Sequence, residues 1–212
     1  MSTRIRVLLV DDHDVVRAGF SRLLEAGGEC IIVGEARDAD SGTEAYFRLQ
    51  PDVVIMDLSM PGQGGLEAIK RIRARDEQAR VLVLTVHENE PFPQRALAAG
   101  ALGYLTKRCA PEELLEAVSA LAKGEGYIAS NIRPMLEKAG AQSGHSAEKL
   151  TQREFQIYEL LARGSSVSSI AQTLYLSVKT VHTHRANLMR KLRIKNNAEL
   201  VMRAVQEGIV EP

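Results

Sequence analysis

The chain has 212 residues and carries 27 basic and 27 acidic side chains, so its formal net charge is zero. This length suits one large domain or two small ones. No run of about 18 apolar residues occurs, which rules out a membrane span, and the opening segment becomes acidic too early for a secretory signal. With two cysteines and no Cys-x-x-Cys pattern, neither a disulfide framework nor a cysteine zinc site is expected, and we predict a cytoplasmic protein without a membrane partner.

The neutral total conceals two regions of opposite charge. Residues 1–128 have a net charge of −5, whereas residues 129–212 have a net charge of +5. No acidic residue lies between Glu159 and Glu199, although seven basic residues do. A C-terminal segment of one sign suits a polyanionic partner, and a solvated cationic surface is the alternative interpretation.

The first 125 residues alternate short apolar runs with segments of helical periodicity. The predicted strands are 6–10, 31–34, 53–56, 81–84 and 103–106. The predicted helices between and after them are 15–26, 41–50, 66–75, 94–99 and 112–123. Five strand-helix pairs in about 120 residues predict a doubly wound α/β domain with a five-stranded parallel sheet.

The rest of the chain reads as a linker followed by helices. Strand signals stop after Gly126, and the next residues contain Pro134, Gly140 and Gly144, so we predict a linker with one short helix at 134–138. Helices are predicted at 152–162, 167–174, 178–192 and 198–207, with Ser166 and Ser177 as N-caps. The predicted organisation is a first domain over 1–125, a linker over 126–147 and a small all-α domain over 148–212.

Polar side chains follow four of the predicted strands. Asp11 and Asp12 follow the first strand, Asp57 the third, Thr85 the fourth and Lys107 the fifth. Because ligands of open α/β sheets bind beyond the carboxyl ends of the strands, these groups should converge. Carboxylates held close together repel one another unless a cation joins them, and an oxygen-rich site of this kind favours Mg²⁺.

Such a site meets the requirements of phosphoryl transfer. The ammonium group of Lys107 and the hydroxyl of Thr85 would neutralise and bond phosphate oxygens, while Asp57 would be the nucleophile that forms an aspartyl phosphate. A single aspartate after a strand is more often a cap or turn residue, so the ordered set carries the prediction.

These residues lie in motifs that resemble the receiver domain of bacterial two-component response regulators, over about residues 4–124. The matching segments are VLLVDDHDVVRAG at 7–19, DVVIMDLSMPGQGGLEAI at 52–69, VLVLTVHE at 81–88 and AAGALGYLTK at 98–107. The resemblance implies a flavodoxin-like fold with Asp57 as phosphoacceptor. It further implies metal ligation by Asp11, Asp12, Asp57 and the backbone carbonyl of Ser59, a switch made by Thr85 and Tyr104, and phosphate contact by Lys107.

Three residues near this site allow simpler interpretations. Tyr104 can also be read as an ordinary half-buried strand aromatic. His13 and His87 adjoin the site, but Mg²⁺ prefers oxygen ligands, so we predict rim positions for both. His87 is a candidate for controlling the access of water to the acyl phosphate.

The segment 177–192 predicts a basic amphipathic helix. On a helical wheel Val181, Leu188 and Leu192 form an apolar stripe. The opposite face carries no acid and consists of Lys179, Thr183, Ala186 and Arg190, flanked by His182 and Asn187. A shorter helix and a three-residue turn precede it, which is the helix-turn-helix arrangement that places a second helix in the major groove.

This region resembles the LuxR-type DNA-binding domain. The matching segments are LTQREFQIYELLARG at 150–164 and SSIAQTLYLSVKTVHTHRANLMRKL at 168–192. Together with the receiver motifs, they make the chain similar to response regulators of the NarL/FixJ type. The residues expected to contact DNA are Lys179, Thr180, His182, Thr183, Asn187, Arg190 and Lys191.

The resemblance implies a transcription factor rather than an enzyme. Its expected partners are double-stranded DNA, a sensor histidine kinase, a second copy of the chain after phosphorylation, and RNA polymerase. The final helix either contributes to the dimer or closes the small core, and the second role is favoured. Two alternatives stay open: a Mg²⁺-dependent phosphohydrolase that turns over at Asp57, and a DNA-binding regulator that acts without phosphorylation.

Overall fold

The structure is a computed structural model that describes residues 4–60, 64–88, 91–141, 150–207 and 209–210. Its described residues form two compact units. The first contains residues up to 88 together with 95–133, and the second contains the others. None of the described helices is both long and apolar enough to cross a membrane.

The first unit is built on a parallel sheet of six strands in the order β2-β1-β3-β4-β5-β6. Its strands are β1 (Ile5–Val10), β2 (Cys30–Ala36), β3 (Val53–Met56), β4 (Val81–Thr85), β5 (Gly103–Thr106) and β6 (Tyr127–Ile128). The helices that alternate with them along the chain are α1 (Asp14–Ala26), α2 (Ala39–Leu49), α3 (Gly64–Arg75), α4 (Phe92–Ala98) and α5 (Pro111–Ala122), although the first three residues of α4 group with the second unit. The doubly wound α/β fold predicted from the sequence is thus confirmed, with one strand more than expected.

The central strands are largely apolar because helices cover both faces of the sheet, whereas the edge strand β2 is partly exposed. All residues of β3, β4 and β5 are buried, as are the last four of β1. Helices α1 and α5 contact each other, and α2 and α3 contact each other. Right-handed crossovers place these two pairs on opposite faces of the sheet. The strands therefore have the near-continuous hydrophobic composition of a buried parallel sheet rather than an alternating pattern.

The register of the strands brings their carboxyl ends to one edge. Val10 pairs with Met56, and the amide of Asp57 donates to the carbonyl of Val10 at 2.9 Å. Thr85 pairs with Thr106, and the amide of Lys107 donates to the carbonyl of Thr85 at 2.8 Å. The backbone ladder itself thus sets the polar residues that follow these strands next to one another.

The structure corrects the predicted extent of the linker. Strand β6 lies within the segment predicted as linker, 126–147, yet its two residues pair with Gly103 and Tyr104 of β5. The short helix predicted at 134–138 is α6 (Arg133–Ala141). The predicted boundary between residues 147 and 148 lies outside the described residues.

The second unit contains the four predicted helices, α7 (Gln152–Ala162), α8 (Val167–Thr173), α9 (Val178–Leu192) and α10 (Asn197–Gln206). Each begins with a polar side chain that accepts a backbone amide of the first turn: Thr151, Ser166, Ser177 and Asn196. Such caps satisfy amides that have no partner inside a helix. The predicted N-caps Ser166 and Ser177 are confirmed.

A tight turn joins α8 to α9. Tyr175 adopts a left-handed backbone conformation with φ of 54°, and the amide of Leu176 donates to the carbonyl of Ala171 at 2.8 Å. Leu174 is buried beside this turn, whereas the ring of Tyr175 is exposed. The turn is therefore closed by the backbone of α8 and anchored by an apolar side chain.

Candidate functional site

Three carboxylates meet at the carboxyl edge of the sheet. Asp57 follows β3 and is 2% exposed, while Asp11 follows β1 and is 7% exposed. Potential ligand atoms of Asp11, Asp12, His13 and Asp57 all lie within 4.8 Å of one another. The convergence predicted for the three aspartates is present in the structure.

A lysine ammonium group bridges two of these carboxylates. Lys107 Nζ lies 2.6 Å from Asp11 Oδ2 and 2.9 Å from Asp57 Oδ2. Burial lowers the pKa of Lys107, but the charge of Asp57 and the bonds to both carboxylates outweigh this effect and raise it above its ordinary value. Lys107 is thus a fixed positive charge where the sequence predicts a phosphate partner.

The electrostatics of the cluster fit a divalent cation. Burial raises the pKa of Asp12, and the charges of Asp57 and Asp11 raise it further, whereas His13 lowers it. His13 Nδ1 lies 2.9 Å from Asp12 Oδ1, and its side chain is 60% exposed, which places it at the rim as expected. One ammonium group does not neutralise three carboxylates, and hard oxygen donors are the ligands that Mg²⁺ prefers.

The two predicted switch residues are both buried. Thr85 is fully buried, and its hydroxyl oxygen has no hydrogen-bond partner in the described structure. Tyr104 is also fully buried, and its hydroxyl donates to the backbone carbonyl of His87 at 2.8 Å. The Tyr104 ring is therefore fully rather than half buried, and its role as a switch stays a prediction.

His87 departs from its predicted position at the rim. It is only 8% exposed, and its Nε2 lies 2.7 Å from the hydroxyl of Ser59. The amide of Ser59 donates to Asp57 Oδ1 at 3.2 Å, so this pair links the loops after β3 and β4 beside the buried aspartate. The two residues lie 28 positions apart, and no local sequence signal indicates that they meet. The role of the Ser59 carbonyl as a metal ligand remains a prediction.

Helix α9 presents a polar face and an apolar face as the helical wheel predicts. Val181, Leu188 and Leu192 are buried. Lys179, His182, Thr183 and Arg190 are exposed, while Thr180 and Asn187 are half-buried. Several of these polar groups bond locally: Thr180 Oγ1 lies 2.8 Å from Ser177 Oγ, Thr183 donates to the carbonyl of Lys179, and Arg190 donates to Asn187.

Lys191 forms an ion pair with a carboxylate of another helix. Its ammonium group lies 2.6 Å from Glu154 Oε2, and this carboxylate, only 3% exposed, also accepts the amide of Thr151. Thr151 and Glu154 form a capping box, so the ion pair ties α9 to the first turn of α7. We therefore assign Lys191 a role in the stability of the second unit, and its contact with DNA stays a prediction. The pattern Thr-x-x-Glu indicates the cap in the sequence, but not the lysine 37 residues away.

Replacing Lys191 by methionine should destabilise the second unit by about 1–2 kcal/mol, since it leaves a nearly buried carboxylate without its cation. The loss should appear as a lower melting temperature in far-ultraviolet circular dichroism. Lys195→Met, which removes an exposed charge after the same helix, is the matched control and should change little. Equal melting temperatures for Lys191→Met and wild type would contradict the assignment.

The contribution of this pair should disappear in acid. Burial tends to raise the pKa of Glu154, but Lys191 and the bonds from Thr151 outweigh it and hold the pKa below its ordinary value. A carboxyl with a depressed pKa contributes stability at neutral pH that is lost as the pH falls through its acidic titration range. The difference between wild type and Lys191→Met should accordingly shrink in that range.

Helix α10 contributes to the small core. Leu200 and Ala204 are buried, and Arg203 donates to the carbonyl of Leu192 at 3.0 Å. Val201 and Met202 are exposed on the other side of the helix. The favoured prediction for this helix, closure of the core, agrees with these contacts.

Two known families match separate parts of the chain. Residues 7–119 match the response regulator receiver domain, and residues 148–204 match the LuxR family of bacterial regulatory proteins. The acidic pocket lies in the first match and the helix-turn-helix in the second. The chain belongs to the response regulators of the NarL/FixJ family, which combine a receiver with a LuxR-type DNA-binding domain.

Two curated relatives match over nearly their full lengths. The response regulator GacA of Pseudomonas aeruginosa is 40% identical over 210 residues, which is 98% of each chain. The response regulator UvrY of Escherichia coli is 38% identical over 208 residues, covering 97% of this chain and 95% of UvrY.

Solved structures of the same architecture include the RcsB response regulator of Salmonella typhimurium. One RcsB structure has a TM-score of 0.75 at 29% identity and covers 96% of this chain and 98% of RcsB. Another, bound to promoter P1flhDC in the presence of phosphomimetic BeF3⁻, has a TM-score of 0.69 at 31% identity and covers 94% and 98% of the two chains. These likenesses are consistent with a two-component transcription regulator.

Proposed function

We propose that this response regulator accepts a phosphoryl group on Asp57 from a sensor histidine kinase and controls DNA binding through that modification. The observation that carries the proposal is the setting of Asp57: a carboxylate 2% exposed, bonded to Lys107 and beside two further aspartates. Thr85 ends the neighbouring strand β4, and its buried hydroxyl has no hydrogen-bond partner among the described residues. A phosphoryl group on Asp57 would supply the acceptor that this hydroxyl lacks.

The three aspartates and the Ser59 carbonyl would hold Mg²⁺. When bound, the cation neutralises the carboxylates and the phosphoryl oxygens during transfer. Two further features of the chain favour this ion: the raised pKa of Asp12, which reflects burial and repulsion by its neighbours, and the oxygen-rich donor set.

In the transfer step, a carboxylate oxygen of Asp57 forms a bond to phosphorus, and the bond between phosphorus and the donor nitrogen breaks. The electron pair of that bond stays on the leaving imidazole of the kinase. Lys107 keeps its positive charge beside the reacting oxygens throughout, because its pKa is raised by the carboxylates that surround it. Positioning and charge stabilisation thus supply the catalysis.

The response to phosphorylation would run through Thr85 and Tyr104. Reorientation of the Thr85 hydroxyl toward the phosphoryl group would draw the loop after β4 inward. Tyr104 is bonded to His87 in that loop, so its buried position would be stabilised by the same movement. The Tyr104 ring already lies inside the unit, so the response would hold it there rather than move it inward.

The output would be binding of duplex DNA by a homodimer. Support comes from the exposed basic face of α9 and from RcsB, which is described as bound to promoter DNA and as two dimers bound to two parallel DNAs. Paired helix-turn-helix units fit two half-sites one helical turn apart. RNA polymerase is a further candidate partner. Because DNA is the proposed target and both cysteines are free thiols, we place the protein in the cytoplasm.

A small acyl-phosphate donor with Mg²⁺ tests the proposal and separates it from its alternatives. We expect each chain to take up one phosphoryl group, which is stable in acid and labile in base. The labelled protein should bind DNA more tightly. Turnover of many equivalents would support a phosphohydrolase instead. Unchanged operator affinity in Asp57→Ala would support a regulator that acts without phosphorylation. Footprinting across the genome with and without the donor would then identify the operator.

Removing a basic side chain from the exposed face of α9 should lower the affinity for DNA and make that affinity less dependent on salt concentration. We expect Lys179→Ala and Arg190→Ala each to reduce the slope of log K against log salt by about 0.9, the value for one lost phosphate contact. The measurement is a fluorescence-anisotropy titration at several salt concentrations. Arg22→Ala, which removes an exposed charge from α1, is the control for net charge. Wild-type slopes in both α9 variants would contradict this placement.

A further inference from the structure

A buried arginine lies behind the acidic pocket. Arg17 of α1 is only 6% exposed, and each nitrogen of its guanidinium group has its own acceptor. Its Nε donates to Glu35 of β2, one terminal nitrogen donates to Asp14, and the other donates to the backbone carbonyl of Asp11, each at 2.7 Å. One side chain thus joins β2, the first turn of α1 and the loop that carries the first two aspartates.

The ion pairs alone do not account for this arrangement. The side chains of Asp14 and Glu35 are 60% and 42% exposed, and ion pairs with exposed partners contribute little to stability. Taking a guanidinium group out of water has a cost, which its bonds must offset. The contact that distinguishes Arg17 is the one to the Asp11 carbonyl, because that oxygen belongs to the peptide unit joining Asp11 to Asp12.

Fixing this carbonyl fixes the orientation of the next residue. A peptide unit is planar, so the direction of the Asp11 carbonyl determines the direction of the Asp12 amide and the position of its Cα. The amide of Asp11 is itself held by the carbonyl of Ala36 at 3.1 Å. With both ends held, the loop can present its two carboxylates toward Asp57 against their mutual repulsion.

We propose that Arg17 is a positioning residue for the divalent cation, which sets the Asp11–Asp12 peptide before the ion binds. This inference rests on the proposed Mg²⁺ site. Arginine is required rather than lysine, because only the planar guanidinium group can bond three separate acceptors in fixed directions. Partners that orient metal ligands typically contribute a factor of 10–100 to metal affinity.

The test is the affinity of the unphosphorylated full-length chain for Mg²⁺. Arg17→Lys keeps the positive charge but loses the planar guanidinium group. We therefore expect the dissociation constant of this variant for Mg²⁺ to rise about tenfold. Titration of ¹H-¹⁵N spectra with Mg²⁺ reports this constant and the fold together, and needs no phosphoryl donor. Arg17→Gln, which keeps one donor group and loses the charge, should show at least the same loss and serves if Arg17→Lys does not fold.

Glu35→Gln is the matched control. It weakens the same network on the side away from the pocket and leaves the bond to the Asp11 carbonyl in place. We expect at most a small decrease in its melting temperature, because Glu35 is exposed, while its Mg²⁺ affinity stays within about twofold of wild type. A purely structural role of Arg17 would lower the melting temperatures of these variants without separating their Mg²⁺ affinities.

Two outcomes would overturn the inference alone: wild-type Mg²⁺ affinity in a folded Arg17→Lys or Arg17→Gln variant, or an equal loss of affinity in Glu35→Gln. If the wild-type chain itself binds no Mg²⁺, the proposed metal site and this inference both fail. The wild-type titration therefore distinguishes failure of the proposed metal site from failure of the positioning role of Arg17.

Discussion

The Asp57→Asn variant should take up no phosphoryl label from a small acyl-phosphate donor, whereas the wild-type chain should take up one equivalent. The amide of asparagine has the size of the carboxyl group but is not a nucleophile, so the shape of the pocket is kept while the chemistry is lost. Intact-protein mass spectrometry after incubation with donor and Mg²⁺ measures the difference.

This loss should not come from unfolding. The substitution removes one of three neighbouring negative charges, and Lys107 keeps its partner Asp11 at 2.6 Å. Asp52→Asn is the control at the other end of β3, where the carboxylate accepts the amide of Arg6. It should be labelled like the wild type. A full equivalent of label on Asp57→Asn would place the acceptor at another residue.

Gly65→Ala should destabilise the first unit by about 3 kcal/mol, near the upper end of the range for overpacking. A Cβ at Gly65 would lie 1.9 Å from the carbonyl oxygen of Asp57 and 3.0 Å from the Cα of Leu58. These are backbone atoms, which cannot turn aside as a flexible side chain can. The loop that carries Asp57 must shift, and if Asp57 is the phosphoacceptor we expect slower phosphorylation along with the lost stability.

Gly19→Ala separates this clash from the general effect of replacing a glycine. Gly19 lies inside α1, and a Cβ there would meet nothing within 4 Å. Alanine is the better helix former, so this variant should gain up to about 1 kcal/mol. Urea unfolding followed by circular dichroism compares the two variants. If Gly65→Ala unfolds at the same urea concentration as wild type or at a higher one, the close approach of the Asp57 backbone does not exclude a side chain at position 65.

Much of the receiver fold could be predicted from the sequence because its strands are buried on both faces. The predicted ends of the strands at 53–56 and 103–106 agree with β3 and β5, since an apolar run that is abruptly followed by Asp57 or Lys107 defines a boundary chemically. Because all parallel strands point the same way, the polar residues after them had to meet. The buried face of α9 could be predicted for a similar reason, because its apolar stripe is a local and periodic signal in the sequence.

Contacts between distant residues could not be predicted in this way. Strand β6 has only two residues and owes its pairing to β5 rather than to its own composition. The acceptors of Arg17 include a backbone carbonyl, and the partner of His87 is a serine in another loop. A polar side chain in a sequence does not indicate which distant group it meets, and for the same reason the ion pair between Lys191 and Glu154 could not be predicted.

The closed turn between α8 and α9 has a consequence for how the second unit would read an operator. With Tyr175 in its left-handed conformation and Leu176 bonded back to Ala171, the angle between the two helices is set before any duplex arrives. The ordering entropy has then been lost during folding rather than at association. Discrimination among base sequences would consequently rest on side-chain chemistry and on the deformability of the duplex. Folding of this turn would not be coupled to binding, so it would not add to the difference in affinity between correct and incorrect sites.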